Sequence, residues 1–181
     1  MELKVSDLGA QSELIREQAA ALLVEGFDER WGWPTLELAR EEVASVLRDG
    51  FARAIVEEST LVGWIGGVPE YAGRVWELHP MVVRRDYRRR GVGRALVAAF
   101  EAEARRRGAL TATLGTDDDL GLTSLSDIDL YGDVARHLTE LHDLGSGHPF
   151  VFYRKLGYVV TGVTPDANGR GRPDIHMSKR L

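Results

Sequence analysis

The chain has 181 residues, of which 44% are apolar and 28% are charged, and its formal net charge is −5. This size and composition favour one compact globular domain and exclude a disordered or fibrous protein. The acidic total argues against general nucleic-acid binding, and the lack of cysteine excludes disulfides, a thiolate nucleophile, zinc fingers and iron–sulfur clusters.

The first half of the chain predicts two helices followed by three strands. Ser12 and Thr35 are N-cap residues in front of segments with helical apolar spacing, and Gly50 ends the second segment. The apolar positions are Leu14, Ile15, Ala19 and Leu22, then Leu36, Ala39, Val43, Val46 and Leu47. The strands are predicted at Phe51–Glu58, Leu61–Val68 and Val75–Val83, with a tight turn at Ser59-Thr60.

The second half predicts a long helix and then a more irregular region. The helix spans Val92–Arg107 and ends at Gly108, with Val92, Leu96, Phe100 and Ala104 on one stripe. The later elements are a strand at Leu110–Leu114, a helix at Pro149–Leu156 and strands at Tyr158–Thr164 and Ile175–Lys179. Strands and helices mixed around one sheet predict a single α/β domain over residues 1–181.

Charge is distributed unevenly along the chain. A basic segment, Arg84–Arg94, holds six arginines and one acid, whereas an acidic insertion, Thr116–Gly147, holds eight acids and one arginine. These two segments favour two ligands of opposite sign. The alternative interpretation is that both segments are ordinary solvated surface.

The basic segment contains an Arg-x-x-Gly-x-Gly pattern formed by Arg88, Gly91 and Gly93, placed between a predicted strand and a predicted helix. The first turn of a helix has unpaired N–H groups and a partial positive charge, and glycines let a diphosphate approach them. Arginines around the loop add hydrogen-bond donors. The pattern therefore predicts a phosphate cradle, and the alternative is an ordinary helix start.

The preceding strand also carries ionisable side chains. Strand alternation predicts that Glu77, His79 and Met81 share one face, while Trp76, Leu78 and Val82 share the other. A carboxylate and an imidazole beside a phosphate cradle are placed to handle the proton of an amine. The alternative is that Glu77 and His79 form a buried pair whose members only satisfy each other's hydrogen bonds. Pro80 cannot donate to a strand ladder, so it predicts a bulge.

Several motifs together resemble a known family. Arg88-x-x-Gly91-x-Gly93 resembles motif A of the GCN5-related N-acetyltransferases, and Phe152, Tyr153, Gly157 and Tyr158 match their closing signature. Further stretches resemble the chromosomally encoded aminoglycoside 6′-N-acetyltransferases. They are Leu61–Gly67, Trp76–Pro80, Leu114–Asp118, Lys155–Tyr158, Gly162–Gly169 and Pro173–Met177.

The resemblance implies an α/β fold with a mixed, mostly antiparallel central sheet, flanked by helices and with splayed central strands. It also implies acetyl coenzyme A as co-substrate, with its pantetheine arm on the backbone of the Met81 strand and no metal. The implied cofactor-binding residues are Met81, Val82, Val83, Arg88, Arg89, Arg90, Gly91, Val92, Gly93 and Arg94.

The resemblance further implies direct acetyl transfer to a primary amine of a cationic acceptor, with antibiotic resistance as a consequence. Glu77 and His79 are the expected proton-handling groups, and Tyr153 is the expected proton donor to the departing sulfur. Taken alone, Tyr153 is better explained as a helix residue that packs its ring and exposes its hydroxyl. The acceptor is expected to meet Trp31, Trp33, Glu77, Asp117, Asp118 and Asp119.

Alternatives remain open at this point. The acceptor is an aminoglycoside, or else a polyamine, a peptide or a lysine side chain, and a coenzyme-A-binding sensor without chemistry is a different class of function. We expect no nucleic-acid partner, and the family favours a homodimer. Because no apolar run approaches the roughly 20 residues of a membrane span and no apolar signal core begins the chain, we expect a cytoplasmic protein without a membrane partner.

Overall fold

A computed structural model describes residues 3–27 and 32–181. The helices are α1 Glu13–Gly26, α2 Leu36–Asp49, α3 Val92–Arg106, α4 Val134–Thr139 and α5 Pro149–Lys155. The strands are β1 Val5–Asp7, β2 Phe51–Glu57, β3 Thr60–Glu70, β4 Val75–Val83, β5 Thr111–Asp117, β6 Val159–Thr164 and β7 Asp174–Arg180. The chain forms two compact units, one up to Ala112 together with Leu181, the other Thr113–Arg180.

The first unit is an antiparallel arrangement of β1, β2, β3 and β4 in chain order. Strands β2 and β3 form the predicted hairpin, but its turn lies at Glu58 and Ser59, one residue earlier than expected. Both turn residues have positive φ, 46° and 68°, which matches the right-handed twist of the paired strands. The predicted Ser59-Thr60 turn is wrong because Thr60 already pairs with Glu57.

The first two helices pack on this unit as their caps predict. Ser12 accepts a hydrogen bond from the amide of Ile15, and Thr35 accepts one from the amide of Leu38. In α2 the buried residues are Ala39, Val43 and Val46, as expected. In α1 the prediction fails at Leu14, which is 64% exposed.

Helix α3 gives the first unit its second helical layer. The predicted apolar stripe is confirmed, since its four members are all buried: Val92, Leu96, Phe100 and Ala104. Phe100 packs on Phe51 of β2 with ring centroids 5.7 Å apart. Ala52, the next residue of β2, belongs to the core beneath α1 and α2. Neighbouring strand residues point to opposite faces, so α3 covers one face and the helix pair covers the other.

The second unit contains α4, α5 and the later strands. Its strand order is β5-β7-β6, and β6 and β7 are antiparallel. The acidic insertion contains the short helix α4, and β1 opens the first unit; the sequence predicted neither element. The predicted α/β fold is confirmed, and each of the two units combines strands and helices. Splaying of the central strands stays a prediction.

Among the described residues, no helix combines the length and the apolar character needed to cross a bilayer.

A buried carboxylate ties α3 to the sheet of the first unit. Glu103 is 6% exposed and accepts hydrogen bonds from Arg106 at 2.6 Å and from Arg107 at 2.7 Å. It also pairs with Arg53 of β2 at 2.8 Å, and Arg53 reaches Asp7 of β1 at 3.0 Å. The hydrogen bond from Arg106 is the main cause that lowers the pKa of Glu103 to about 2, against the opposing effect of burial.

We expect Glu103→Gln to destabilise the protein by about 2 kcal/mol at pH 7, because it leaves arginine donors without a charged partner. The folded-state pKa lies below the ordinary value of 4.5, so the stabilisation is present above that value and is lost as the pH falls towards 2. Denaturant unfolding of both proteins from pH 7 to pH 2.5 measures the difference.

Glu17→Gln is the control for this experiment. Glu17 makes a bidentate ion pair with Arg40, but both side chains are exposed. Its loss is expected to cost much less than the loss of Glu103, because exposed ion pairs contribute little to stability. Equal effects of the two substitutions, or a Glu103→Gln effect that does not change with pH, would contradict the assignment.

Candidate active site

The end of β4 carries a bulge that determines where its side chains point. The single residue Gly66 of β3 lies opposite two residues of β4, His79 and Pro80. A Cβ on Gly66 would come within 2.3 Å of the His79 carbonyl oxygen, so only glycine fits there. The bulge that Pro80 predicts is therefore confirmed.

The bulge transfers the later residues of β4 to the opposite face of the sheet. Trp76 packs on Phe51 with ring centroids 5.0 Å apart, and Phe51 lies on the face covered by α3. Val82 instead belongs to the core beneath α1 and α2. The expectation that Trp76, Leu78 and Val82 share a face is wrong, and so is the grouping of Met81 with Glu77 and His79, because one extra residue reverses the alternation after Pro80.

His79 faces α2 and meets an acid that the sequence analysis did not identify. Its Nε2 atom lies 3.4 Å from Oε1 of Glu42. The ring of Trp33 lies beside it, with centroids 6.0 Å apart, and Phe27 packs edge-on against Trp33 at 5.1 Å. This arrangement joins an imidazole, a carboxylate and two aromatic rings on one side of the first unit.

Two other residues were predicted in this region, Glu77 and Trp31, and the structure describes only Glu77. Glu77 is half-buried and alternates with Trp76, which places it on the same face as His79. The two predicted proton-handling groups therefore share a face. Trp31, predicted to meet the acceptor, lies outside the described residues.

The basic segment forms a strand–loop–helix junction, as predicted. Gly91 is the N-cap residue of α3, with φ of +85°, and it offers no side chain to the amides of the first helical turn. Positive φ is readily adopted only by glycine. The helix therefore presents bare N–H groups and the positive end of its dipole, which is the arrangement that an anionic group prefers.

The arginines around this junction are exposed, and two of them contact neighbouring residues. Arg88 donates from Nε to the carbonyl of Val83 at 3.1 Å, which holds the loop against the end of β4. The guanidinium of Arg90 lies 5.3 Å from the centroid of the Tyr87 ring. Arg89 and Arg94 are also exposed. The region combines a helix N-terminus with exposed positive charge.

In the second unit, Tyr153 lies on α5 and is buried. Its ring packs against Phe152 at 5.1 Å and against Tyr158 at 5.7 Å, both edge-on. Burial raises the pKa of the Tyr153 hydroxyl well above its ordinary value of 10. The phenol is therefore protonated at neutral pH, as a proton donor must be.

The predicted acidic run at the end of β5 separates into distinct environments. Asp118 is 0% exposed and accepts hydrogen bonds from the hydroxyls of Thr123 and Ser126, each at 2.6 Å, and from the Thr123 amide at 2.8 Å. Burial opposes ionisation, but these hydrogen bonds hold its pKa below the ordinary value. Asp117 is exposed and accepts from Asn168 at 2.6 Å, and Asp119 is half-buried.

Two further residues of the second unit were not assigned from the sequence. His148 is buried and caps α5: its Nδ1 accepts from the Phe150 amide at 3.2 Å, so its Nε2 donates to the Asp117 carbonyl at 3.0 Å. Asp174 approaches Gly115, where a Cβ would lie 2.7 Å from its Oδ2. Burial, together with the charge of Asp117, raises the pKa of Asp174.

Within residues 3–27 and 32–181, no three His, Asp or Glu side chains are grouped as metal ligands.

A sequence model described as the Acetyltransferase (GNAT) family matches residues 16–131. The chain belongs to this family. It is an N-acetyltransferase, and its matched segment includes α2, the bulged strand and the helix start at Gly91. Tyr153 and the rest of α5 lie beyond the matched segment. No curated protein matches the chain.

Three solved structures resemble this acetyltransferase over 98% of its length, and the match covers 97% of each. An aminoglycoside 6′-N-acetyltransferase complexed with coenzyme A is 37% identical, with a TM-score of 0.90. The aminoglycoside 6′-N-acetyltransferase from Enterococcus faecium is 36% identical, with a TM-score of 0.88. Aminoglycoside 6′-acetyltransferase type Ii is 34% identical, with a TM-score of 0.72.

Proposed function

We propose that this acetyltransferase moves the acetyl group of acetyl coenzyme A to the 6′-amine of an aminoglycoside. The observation that carries the proposal is the 37% identity, over nearly the full length of both chains, to an aminoglycoside 6′-N-acetyltransferase that binds coenzyme A. Stated more generally, the proposed acceptor is a primary amine on a cationic sugar. Cytoplasmic location, a homodimer and a contribution to antibiotic resistance complete it.

The cradle fits the phosphates of acetyl coenzyme A. Bare amides at Gly91, Val92 and Gly93 suit a diphosphate, and the exposed arginines supply charge-assisted hydrogen bonds. We assign the backbone of Met81, Val82 and Val83 to the pantetheine arm. Further cradle residues are Arg88, Arg89, Arg90 and Arg94. Acetyl coenzyme A brings an activated thioester, so the protein's task is to hold, orient and transfer protons.

We assign proton transfer to three side chains. Glu77 with His79 holds the acceptor amine and takes its proton as the N–C bond forms. Tyr153 gives its proton to the sulfur as the C–S bond breaks, and solvent then restores the phenol. An ordinary Glu is a weak base towards an ammonium group, so Glu77 holds the cation while His79 or water carries the proton. Much of the acceleration comes from positioning the two substrates.

The acceptor side of the proposal uses Trp33, Glu77, Asp117 and Asp119. Trp33 offers an aromatic face that suits a sugar ring, and the carboxylates suit its ammonium groups. Asp118 is left out of this surface, because its buried carboxylate is already held by donors of its own loop. No metal is part of the proposal.

A thiol-release assay over a panel of amines tests the proposed function. We expect turnover with aminoglycosides that carry a 6′-amine and none with matched compounds that carry a 6′-hydroxyl. Turnover with a polyamine, a peptide N-terminus or a lysine side chain instead would replace the acceptor and keep the chemistry. Coenzyme A binding without thiol release from any amine would identify a sensor.

Gly91→Ala tests the cradle. An alanine at φ of +85° is strained by about 1–2 kcal/mol. The start of the helix therefore shifts, and its first amides no longer point towards the diphosphate. We expect the Kd for coenzyme A, measured by calorimetry, to rise about tenfold, which corresponds to about 1.4 kcal/mol.

Gly108→Ala is the matched control, because Gly108 has φ of +87° at the opposite end of the same helix. Its exposed position offers open space, so it introduces comparable backbone strain without touching the cradle. We expect a similar loss of stability with an unchanged Kd. Equal effects of both variants on the Kd would remove the cradle from coenzyme A binding.

Tyr153→Phe tests the proton donor. The substitution keeps the buried ring and removes only the hydroxyl, so we expect kcat to fall by about 10²-fold while the Kd for coenzyme A changes little. Tyr158→Phe removes a hydroxyl from the neighbouring ring and is expected to keep turnover within about twofold. Unchanged turnover of Tyr153→Phe would exclude this tyrosine from the reaction.

A further inference from the structure

We propose that Glu42 is a positioning residue that acts through His79, orienting the imidazole for the acceptor amine. The inference rests on the proposed function, in which His79 handles the amine. Glu42 lies on α2, outside the motifs that resemble the family, and its Oε1 is 3.4 Å from Nε2 of His79.

The position of Glu42 on its helix supports this role. The helix is amphipathic, and Glu42 lies at the border of its buried side, between Ala39 and Val46 at helical spacing. Its side chain is only 23% exposed. A carboxylate at such a position is costly unless it is paired with hydrogen-bond donors. The neighbouring Glu41 points to solvent, so the helix does not need an acid at the buried border for solubility.

Residues of the candidate site supply the hydrogen-bond donors that the carboxylate of Glu42 needs. A hydrogen bond from His79 is the main cause that lowers the pKa of Glu42; burial opposes it and a hydrogen bond from Trp33 assists. The carboxylate therefore stays ionised at neutral pH. The anion thus lies beside the imidazole of His79, and the ring of Trp33 lies on the same side of the first unit.

The chemical consequence concerns the two nitrogens of His79. A carboxylate beside Nε2 favours the tautomer with its proton on Nε2, and it leaves Nδ1 as the basic nitrogen. It also restricts rotation of a ring that is about half exposed. Glu42 therefore sets which nitrogen can take a proton from the acceptor amine, without touching the amine itself.

A double-mutant cycle tests whether Glu42 acts through His79. Glu42→Met keeps the length of the side chain and removes the acceptor oxygens. In the parent protein we expect it to lower kcat/KM for a 6′-amino aminoglycoside about tenfold, with the KM for acetyl coenzyme A unchanged. In a His79→Gln background the same substitution is expected to change kcat/KM by less than about twofold.

Two further variants sharpen this cycle. Glu42→Gln retains an oxygen that accepts from Nε2, so we expect it to recover part of the activity that Glu42→Met loses. Glu41→Gln removes the same charge from the adjacent exposed position and is expected to leave kcat/KM unchanged. Independent, additive losses from Glu42→Met and His79→Gln would overturn the proposal, as would equal losses from Glu41→Gln and Glu42→Gln.

A spectroscopic readout separates this inference from the proposed function. Long-range ¹H–¹⁵N spectra report the tautomer of each imidazole, and the chain has five histidines, four of which serve as internal references. We expect the Nε2-protonated signature of His79 in the parent protein and its loss in Glu42→Met. If no aminoglycoside is acetylated, the proposed function fails, and this spectrum still decides the pairing. An unchanged His79 signature in Glu42→Met would overturn it.

Discussion

The first unit depends on how α3 is held, because the end of α3 that faces the cradle cannot contribute its usual share of stability. A helix start that binds an anion must leave its first amides bare, which means giving up a side-chain cap. Gly91, as the N-cap residue, provides no side-chain hydrogen bond to those amides. The compensation lies towards the other end, where Glu103 collects Arg53, Arg106 and Arg107. The buried apolar stripe supplies the remaining support, so the uncapped start of α3 is maintained by contacts made several turns away.

The bulge in β4 has a comparable effect on the side chains of the strand. A regular strand would direct Val82 towards the same face as Trp76, and the core beneath α1 and α2 would lose a member. The extra residue at His79 and Pro80 lets one strand contribute to both layers of the first unit. Its cost falls on Gly66, where any side chain would collide with the His79 carbonyl. The bulge therefore redirects the residues after Pro80, whereas regular alternation from Trp76 already directs His79 towards α2.

The sequence predicted those parts of the structure that depend on local rules. The caps at Ser12 and Thr35, the stripe of α3 and the helix start at Gly91 all follow from short-range patterns, and all are confirmed. The predictions that failed depend on tertiary contacts, which the neighbouring residues in the sequence do not reveal. Leu14 fits the helical period, yet no partner covers it. Glu42 looks like a solvent-facing acid on an amphipathic helix, and only the tertiary approach of β4 gives it an imidazole.

The acidic insertion shows why a run of charge is ambiguous in a sequence. Its carboxylates were interpreted either as ligands for a cation or as solvated surface, and several of them are instead used locally. Asp118, Asp129, Asp133 and Asp143 each accept hydrogen bonds from backbone amides of the second unit. Hydrogen bonding to amides favours the ionised form, as the lowered pKa of Asp143 indicates. Carboxylates used in this way order the loops and remain negative. They therefore contribute a fixed negative field to the second unit, which suits the cationic acceptor that we propose.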